Sequence, residues 1–141
     1  MCSIRKWLNY DFISNSFSEK ERNMIITSHI DNSLGKSYVI DEASQIDTDD
    51  RIFLLSYAEA KKYFQSDDER ICIPTKYVKE HGAYTKKSTG ACAWWLRTSI
   101  DYGSFGTAMA VTVDGVIDSS CYGDINSNVR TVRPALWINI E

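Results

Sequence analysis

Features typical of metal-binding, redox, nucleic-acid-binding and membrane proteins are missing from this sequence. Its 141 residues include only two histidines and four cysteines, and no two cysteines form a C-x-x-C pair. That excludes a zinc ribbon and a thioredoxin-like dithiol. No apolar run approaches the roughly 18 residues of a membrane span, so no membrane insertion is expected. The formal net charge of −3 offers no basic field for phosphates, so nucleic acid is not an expected partner.

Targeting and catalytic signatures are equally scarce. The opening segment MCSIRKWLNYDF has no apolar signal-peptide core. The chain as written would therefore stay in the cytoplasm, whereas as part of a longer protein it would be secreted or lie at the cell surface. No H-E-x-x-H motif, phosphate loop or Ser/His/Asp order is present. We therefore expect no metal and no cofactor.

The four cysteines, at positions 2, 72, 92 and 121, are expected to be buried or half-buried free thiols, because cysteine is so often interior. A Cys72–Cys92 disulfide is the alternative, which an oxidising compartment would favour. Cys121 has no histidine nearby in the sequence, which makes it a poor nucleophile.

The residues that are present fit one α+β domain over residues 1–141. Hydrophobic residues make up 43% and charged residues 25%, as in ordinary globular domains large enough for one core. Helical patterns dominate the N-terminal half and strand patterns the C-terminal half. We therefore predict segregated helices and a twisted antiparallel sheet.

Two capping boxes mark helix starts in the N-terminal half. Before them, Ile4, Trp7 and Leu8 recur at helical spacing, with Phe12 continuing the stripe. Ser18 and Glu21 then predict a helix from about 19 to 28 with Met24, Ile25 and Ile26 on its apolar face, and Phe17 as a hydrophobic staple. Ser56 and Glu59 predict a second helix, running through Phe64.

The segments around these helices are predicted as follows. Residues 29–50 are polar and form a long surface loop with a short strand at Ser37–Ile40. Asp47, Asp49 and Asp50 are expected to be solvated charges; calcium is the alternative, disfavoured because the glycine and distal glutamate of an EF-hand loop are missing. His29 has no partner pattern. Residues 51–55 form a buried strand. Pro74-Thr75 starts a short helix that Gly82 ends, with His81 exposed at its end.

In the C-terminal half, residues 93–97 and 132–140 read as strands. Residues 108–117 read as a hairpin with a type I′ turn at Asp114-Gly115. Trp94, Trp95 and Trp137 are expected in the core, with one of the adjacent pair facing away to cover a helix. Arg97, Arg130 and Arg133 either pin loop backbones against this tryptophan layer or form a pocket for an anionic group.

Four ordered motifs resemble an uncharacterised bacterial domain-of-unknown-function family common in gut-associated Firmicutes. They are RKWLN at 5–9, RIFLLSYAEAKKYF at 51–64, WWLR at 94–97 and VRPALWINI at 132–140. The resemblance covers almost the whole chain. Family members usually carry residues before the first motif, so this chain is expected to lack N-terminal residues of a longer protein.

The C-terminal signature is also similar to a wider C-type-lectin-like group, which includes formylglycine-generating enzymes and retroelement-diversified receptor-binding proteins. The resemblance implies a scaffold whose loops, between WWLR and the last strand, display a binding face. The Glu-Pro-Asn sugar–calcium motif of true C-type lectins is absent, so the likeness is one of fold. Formylglycine-generating enzymes use a pair of C-terminal cysteines, and here only Cys121 lies in that region, so no enzyme activity is expected.

Two segments, 99–106 and 119–128, are rich in Ser, Gly, Asn, Asp and Tyr, as antibody recognition loops are. The predicted ligand-binding residues are Asp101, Tyr102, Phe105, Tyr122, Asp124, Asn126 and Asn128. Calcium at 124–128 is disfavoured because Arg130 follows where a carboxylate is needed. The alternative is ordinary loops whose rings close the edge of the core.

The function predicted is therefore a non-enzymatic recognition module for adhesion or receptor binding, with an unidentified protein or glycan as ligand. A degenerate or specialised formylglycine-generating-type enzyme is one alternative. A structural domain of a larger surface protein is the other. The sequence does not specify the oligomeric state.

Overall fold

The computed structural model describes residues 3–32, 46–101, 106–118 and 129–140. Helices there are α1 Ser3–Trp7, a π-helical turn Leu8–Phe12, α2 Ile13–Ser16, α3 Glu19–Met24, α4 Tyr57–Tyr63, α5 Asp67–Arg70 and α6 Lys76–Glu80. Strands there are β1 Ile25–Ile26, β2 Ser28–Ile30, β3 Thr48–Asp50, β4 Trp94–Asp101, β5 Gly106–Val111, β6 Ile117–Asp118 and β7 Trp137–Ile138. Helices and small antiparallel sheets are both present, so the α+β class is confirmed. The predicted segregation is incomplete, because β1, β2 and β3 lie in the N-terminal half.

The N-terminal helical stripe is confirmed except at Trp7, which is exposed and packs at the rim of the stripe against Phe12. The helical segments from Ser3 to Ser16 follow one another directly. Leu8 and Ile13 are buried, and Ile4 and Phe12 pack against the same core cluster. Spacing the apolar residues three and four apart places them on one helix face, which explains this shared burial.

Both predicted capping boxes are present. The Glu21 backbone N–H donates to Ser18 Oγ at 3.3 Å, and the Ser18 N–H donates to Glu21 Oε2 at 2.7 Å. Ser56 and Glu59 make the reciprocal pair at 3.1 and 2.8 Å. Phe17 packs against a core cluster and meets the Phe12 ring edge-on at 5.9 Å between centroids, and its staple onto α3 stays a prediction. Each pair satisfies helix-end donors that would otherwise lack partners.

The predicted extension of α3 to residue 28 is wrong. The helix ends at Met24, and Ile25 and Ile26 pair in antiparallel register with Ile138 and Trp137. Two adjacent β-branched residues favour an extended backbone. Ile25 is buried and Ile26 exposed, as expected of successive residues on a strand.

The predicted loop at 29–50 is wrong at both ends. Ser28–Ile30 pairs with Thr48–Asp50 to form a two-stranded ribbon, in which His29 lies opposite Asp49. Ile30 is buried. The polar composition of the segment predicted a loop, because charged side chains line the two strands of this ribbon. The strand predicted at Ser37–Ile40 lies outside the described residues.

Residues 51–55 are largely buried as predicted, but they do not form a strand of a sheet. Only Phe53 makes a β-bridge, to Ala135, with two N–H···O bonds of 2.9 and 2.8 Å. The helix predicted after Pro74 is confirmed as α6. Thr75 caps it, and Gly82 follows with φ +87°, a left-handed conformation that glycine adopts freely.

The main sheet has the order β4-β5-β6, all antiparallel. The predicted hairpin is present, but its type I′ turn is wrong. The Gly115 N–H donates to Thr112 O at 3.0 Å, and the Thr112 N–H donates to Val116 O at 2.9 Å. Among the residues described, no non-glycine has positive φ, whereas Gly115 has φ +79°. The connection is therefore a three-residue loop with Gly115 in the left-handed position, since type I′ needs two such residues.

The final strand predicted at 132–140 is also wrong as one element. Thr131 bridges to Trp94 in parallel, Ala135 bridges to Phe53, and only Trp137–Ile138 forms a strand, with β1. Pro134 has no N–H to contribute to a ladder, so it separates the first two contacts. The segment binds three different parts of the domain in succession.

Two core clusters lie among the described residues. The first contains Ala60, Trp94, Leu96, Met109 and Val111. The second contains Leu8, Ile13, Ile25, Ile52 and Leu54, and Trp95 packs against it. Because side chains alternate along a strand, the adjacent tryptophans of β4 face different clusters. This confirms the prediction that one of them faces away to cover a helix.

Candidate functional site

The predicted ligand-binding residues fall largely outside the described part of the chain. Six of the seven lie outside the described residues: Tyr102, Phe105, Tyr122, Asp124, Asn126 and Asn128. The disfavoured calcium segment at 124–128 lies outside them as well. Asp101 is the last residue of β4, opposite Gly106 in the register with β5. Where these side chains lie relative to one another therefore stays a prediction.

The residues that flank the two segments are described. The predicted loop at 99–106 is wrong at both ends, because residues 99–101 belong to β4 and Gly106 begins β5. Residues 102–105 connect the two strands, at the end of the pair away from Trp94. Residues 119–128 follow β6, which pairs with β5. They lead into Thr131, which bridges to Trp94 on the side of β4 opposite β5. Both segments are thus joined to the main sheet.

Two arginines stack on the tryptophans of β4. The guanidinium carbon of Arg130 lies 4.6 Å from the Trp95 ring centroid, and that of Arg133 lies 4.9 Å from those of Trp94 and Phe64. Trp94 is fully buried and donates through Nε1 to a backbone carbonyl at 3.1 Å. This arrangement confirms the predicted stacking of arginine on indole. We call Trp94, Trp95, Arg97, Arg130 and Arg133 the tryptophan–arginine frame.

Arg97 uses all of its donors within the protein. It donates to Leu54 O at 2.9 Å, Asp31 O at 3.0 Å and Asn32 Oδ1 at 3.1 Å, and through both Nη atoms to Glu59. Guanidinium has five N–H donors, so none is left for an anionic ligand. Burial alone would raise the pKa of Glu59, but hydrogen bonds from Arg97 and Ser56 outweigh it and hold that pKa below its ordinary value. Of the two interpretations of Arg97, this geometry favours the structural one.

Trp137 was expected in the core and is instead half exposed, with 50% of its surface accessible. It lies opposite Ile26 in the β1–β7 pair, so the two side chains share one face. The Tyr63 ring meets Trp137 edge-on at 6.2 Å between centroids. We call Ile26, Tyr63 and Trp137 the aromatic surface. The sequence feature that could have indicated the exposure of Trp137 is Pro134, because a strand interrupted by proline need not continue in the main sheet.

A polar cleft of about 250 Å³ lies between the N-terminal helix and the β2–β3 ribbon. Arg5 Nε donates to both carboxylate oxygens of Asp50 at 2.8 Å, and Arg5 Nη2 donates to Asp49 O. Asn9 Oδ1 accepts from the Arg51 N–H at 2.8 Å. Asp50 is buried, so its predicted role as a solvated charge is wrong. These pairings join the helix to the ribbon.

His29 was predicted to lack a partner and instead bridges two carboxylates. Its Nδ1 lies 3.1 Å from Asp49 Oδ1 and its Nε2 lies 3.3 Å from Asp47 Oδ2. Only imidazolium has a proton on both nitrogens, so hydrogen bonds to the two carboxylates raise the pKa of His29. Across the described ranges, no group of three His, Cys, Asp or Glu side chains could hold a metal ion.

Cys72 and Cys92 are free thiols, which confirms the main prediction for this pair. Cys92 is buried and Cys72 half-buried. Cys2 and Cys121 lie outside the described residues. Along the part of the chain that is described, no helix is long and apolar enough to cross a membrane.

Comparison with known proteins identifies the family but gives no relative of known function. The family described as Domain of unknown function (DUF6273) matches residues 1–140. No curated protein and no solved structure matches the chain significantly. The resemblance carried by the four motifs is thus confirmed at family level over nearly the whole sequence. The chain belongs to the DUF6273 family of domains of unknown function.

Proposed function

We propose that this domain is a non-enzymatic ligand-recognition module, which binds a protein or glycan in adhesion or receptor recognition. The observation that carries the proposal is the half-exposed Trp137. It lies on β7, which pairs with β1, and its ring meets the Tyr63 ring edge-on. Large aromatic side chains supply much of the binding energy in recognition sites, and an exposed cluster of them is a common mark of such sites.

The aromatic surface is held in place before any ligand arrives. Ile26 and Trp137 are cross-strand partners, and the Asn139 N–H donates to Met24 O at 2.8 Å beside them. Lys62 Nζ lies 5.6 Å from the Tyr63 ring centroid, which adds a cation at the rim. A ring that is already fixed loses little conformational entropy on binding.

The segments 102–105 and 119–128 are the second part of the proposed binding face. Their Tyr, Ser, Gly and Asn content suits adaptable recognition, with Tyr102 and Tyr122 as rigid anchors. The strands they join are held by the tryptophan–arginine frame, whose stacked arginines and saturated Arg97 stabilise the sheet. Binding scaffolds commonly carry their recognition residues on the connections between the strands of a sheet.

The scaffold we propose is C-type-lectin-like. Support comes from the Trp-rich strand β4 in an antiparallel sheet, from the arginine–proline segment that returns beside it, and from helices concentrated in the N-terminal half. The non-enzymatic part rests on the sequence, in which Cys121 has no second cysteine after it. Alkylation of Cys121 far faster than of the other cysteines would instead support the formylglycine-generating alternative.

The experiment is a binding screen of the purified domain against glycans and bacterial surfaces. Three variants accompany the wild type: Trp137→Ala, the double variant Tyr102→Ala with Tyr122→Ala, and Tyr84→Ala as a control. Tyr84 is exposed to a similar extent as Trp137 but is not part of the proposed face. Binding retained by wild type and the Tyr84 variant but lost in either of the others supports recognition. A wild-type signal no higher than that of both test variants would contradict it.

A further inference from the structure

Two cysteines face each other across an antiparallel β-bridge that the proposed recognition function does not use. Cys72 and Cys92 are the paired residues, and the Cys92 N–H donates to Cys72 O at 2.9 Å. Directly opposed residues in antiparallel pairs have Cα atoms roughly 4.5–5.5 Å apart. Disulfides span roughly 4.4–6.8 Å between Cα atoms, so this backbone already has the required spacing.

We propose that Cys72 and Cys92 form a reversible intramolecular disulfide, which makes this pair a redox modification site of the domain. Cys72 precedes α6, and Cys92 lies two residues before Trp94 of the frame. The bond would therefore tie the segment carrying α6 to the start of β4. It closes a loop of about 20 residues, long enough to restrict the unfolded chain appreciably.

The surroundings of the two sulfurs differ, which gives each a different role in disulfide formation. Cys92 is fully buried, and its Sγ lies 3.4 Å from Thr131 Oγ1. The Thr131 hydroxyl donates to Ala93 O at 3.0 Å, which leaves its oxygen to accept from the Cys92 thiol. Cys72 is half-buried and therefore reachable by a small oxidant. Cys72 is thus the attacking sulfur and Cys92 the resolving one.

The reaction balances with a small disulfide such as oxidised glutathione as the oxidant. The Cys72 thiolate attacks one glutathione sulfur, forms a mixed disulfide and releases one glutathione thiolate. Cys92 then loses its proton, and its sulfur displaces the second glutathione from Cys72. The protein gives up two electrons and two protons and gains one S–S bond, while the oxidant becomes two glutathione thiols.

The pKa of the Cys72 thiol sets the rate of the first step, because only the thiolate attacks. Burial and the neighbouring Cys92 raise the pKa of the Cys72 thiol, and the nearby Arg133 guanidinium offsets this only in part. The thiolate fraction is therefore small at neutral pH. We expect the rate to rise roughly tenfold for each unit of pH below the thiol pKa.

The test uses the chain carrying Cys2→Ser and Cys121→Ser, so that Cys72 and Cys92 are its only cysteines. After treatment with oxidised glutathione, the expected product has lost two hydrogen atoms in its intact mass, has no alkylatable thiol when denatured, and regains both thiols with dithiothreitol. Its Tm should exceed that of the reduced protein by roughly 10 °C.

The same chain with Cys72→Ser added should fold, should retain one thiol that is alkylated once the protein is denatured, and should show no Tm change with oxidant. Circular dichroism checks that this variant folds. If it does not fold, the mass and thiol count of the two-cysteine chain decide the matter alone. Two unreacted thiols, or a mixed disulfide with glutathione that never resolves, would overturn the proposal.

Discussion

Gly115 packs so closely against Asp67 that a β-carbon built on it would lie 1.8 Å from the Asp67 carbonyl oxygen. Gly115 also adopts φ +79°, and its carbonyl accepts from the buried Arg70 Nε at 2.8 Å. The three-residue hairpin loop thereby contacts the start of α5. This contact joins the β5–β6 connection to the helical half of the domain.

Gly115→Ala should therefore lower the free energy of unfolding by about 2–5 kcal/mol, which combines left-handed strain with overpacking against backbone. Gly82→Ala is the matched control, because Gly82 has φ +87° but nothing within 4 Å of its built β-carbon. It should cost only about 1–2 kcal/mol. Urea unfolding measures both, and equal losses would contradict the close packing at Gly115.

Arg97→Lys should cost about 2–4 kcal/mol, because lysine cannot replace five directed donors and leaves the Glu59 carboxylate poorly paired. The Arg97 side chain is 14% exposed and that of Glu59 is 26% exposed. The control is Lys76→Met, which removes an exposed ion pair with Glu80 at 3.7 Å and should change stability by less than about 0.5 kcal/mol. A loss for Arg97→Lys no larger than the control's would show that the network is dispensable.

His29 should titrate above its ordinary value of about 6.5. Because its folded pKa is raised, pairing with Asp47 and Asp49 stabilises the ribbon fully below the unfolded pKa, and this contribution is lost as pH rises through the folded pKa. NMR titration of the imidazole should show its pKa falling in the double variant Asp47→Asn with Asp49→Asn. An unchanged pKa in that variant would mean that the carboxylates do not hold the ring in solution.

The tryptophans should separate into one that stabilises the fold and one that does not. Trp94→Phe removes a hydrogen bond to Arg70 O and leaves a cavity in a fully buried site, for a cost of about 2–4 kcal/mol. Trp137→Phe, at a half-exposed site, should cost less than about 1 kcal/mol. Urea unfolding measures the stability of both variants. Similar losses in the free energy of unfolding would contradict the surface position of Trp137.

Local features were readable from the sequence because their physics is local. The Ser18–Glu21 and Ser56–Glu59 boxes need only residues three apart, and both were predicted with their helices. The alternation that places Trp94 and Trp95 on different faces depends on a single strand. The family resemblance likewise rests on contiguous motifs.

Non-local pairings were missed because short strands carry no pattern of their own. Ile25–Ile26 was assigned to a helix, since its partner Trp137–Ile138 lies at the other end of the sequence. The pairing of His29 with Asp49 was not predicted for the same reason. At the candidate site, composition indicated the loops but could not indicate that Trp137 lies at the surface, because exposure depends on which sheet β7 joins.

The central claim is that recognition depends on aromatic rings that the fold does not need. Its most direct measurement is the thermal unfolding and ligand affinity of the double variant Tyr102→Ala with Tyr122→Ala, using whichever glycan or surface the screen identifies. The account predicts a Tm nearly equal to that of the wild type and binding reduced at least about tenfold, the loss of one good aromatic contact. A large fall in Tm with unchanged affinity of the folded fraction would contradict it, since the rings would then belong to the core.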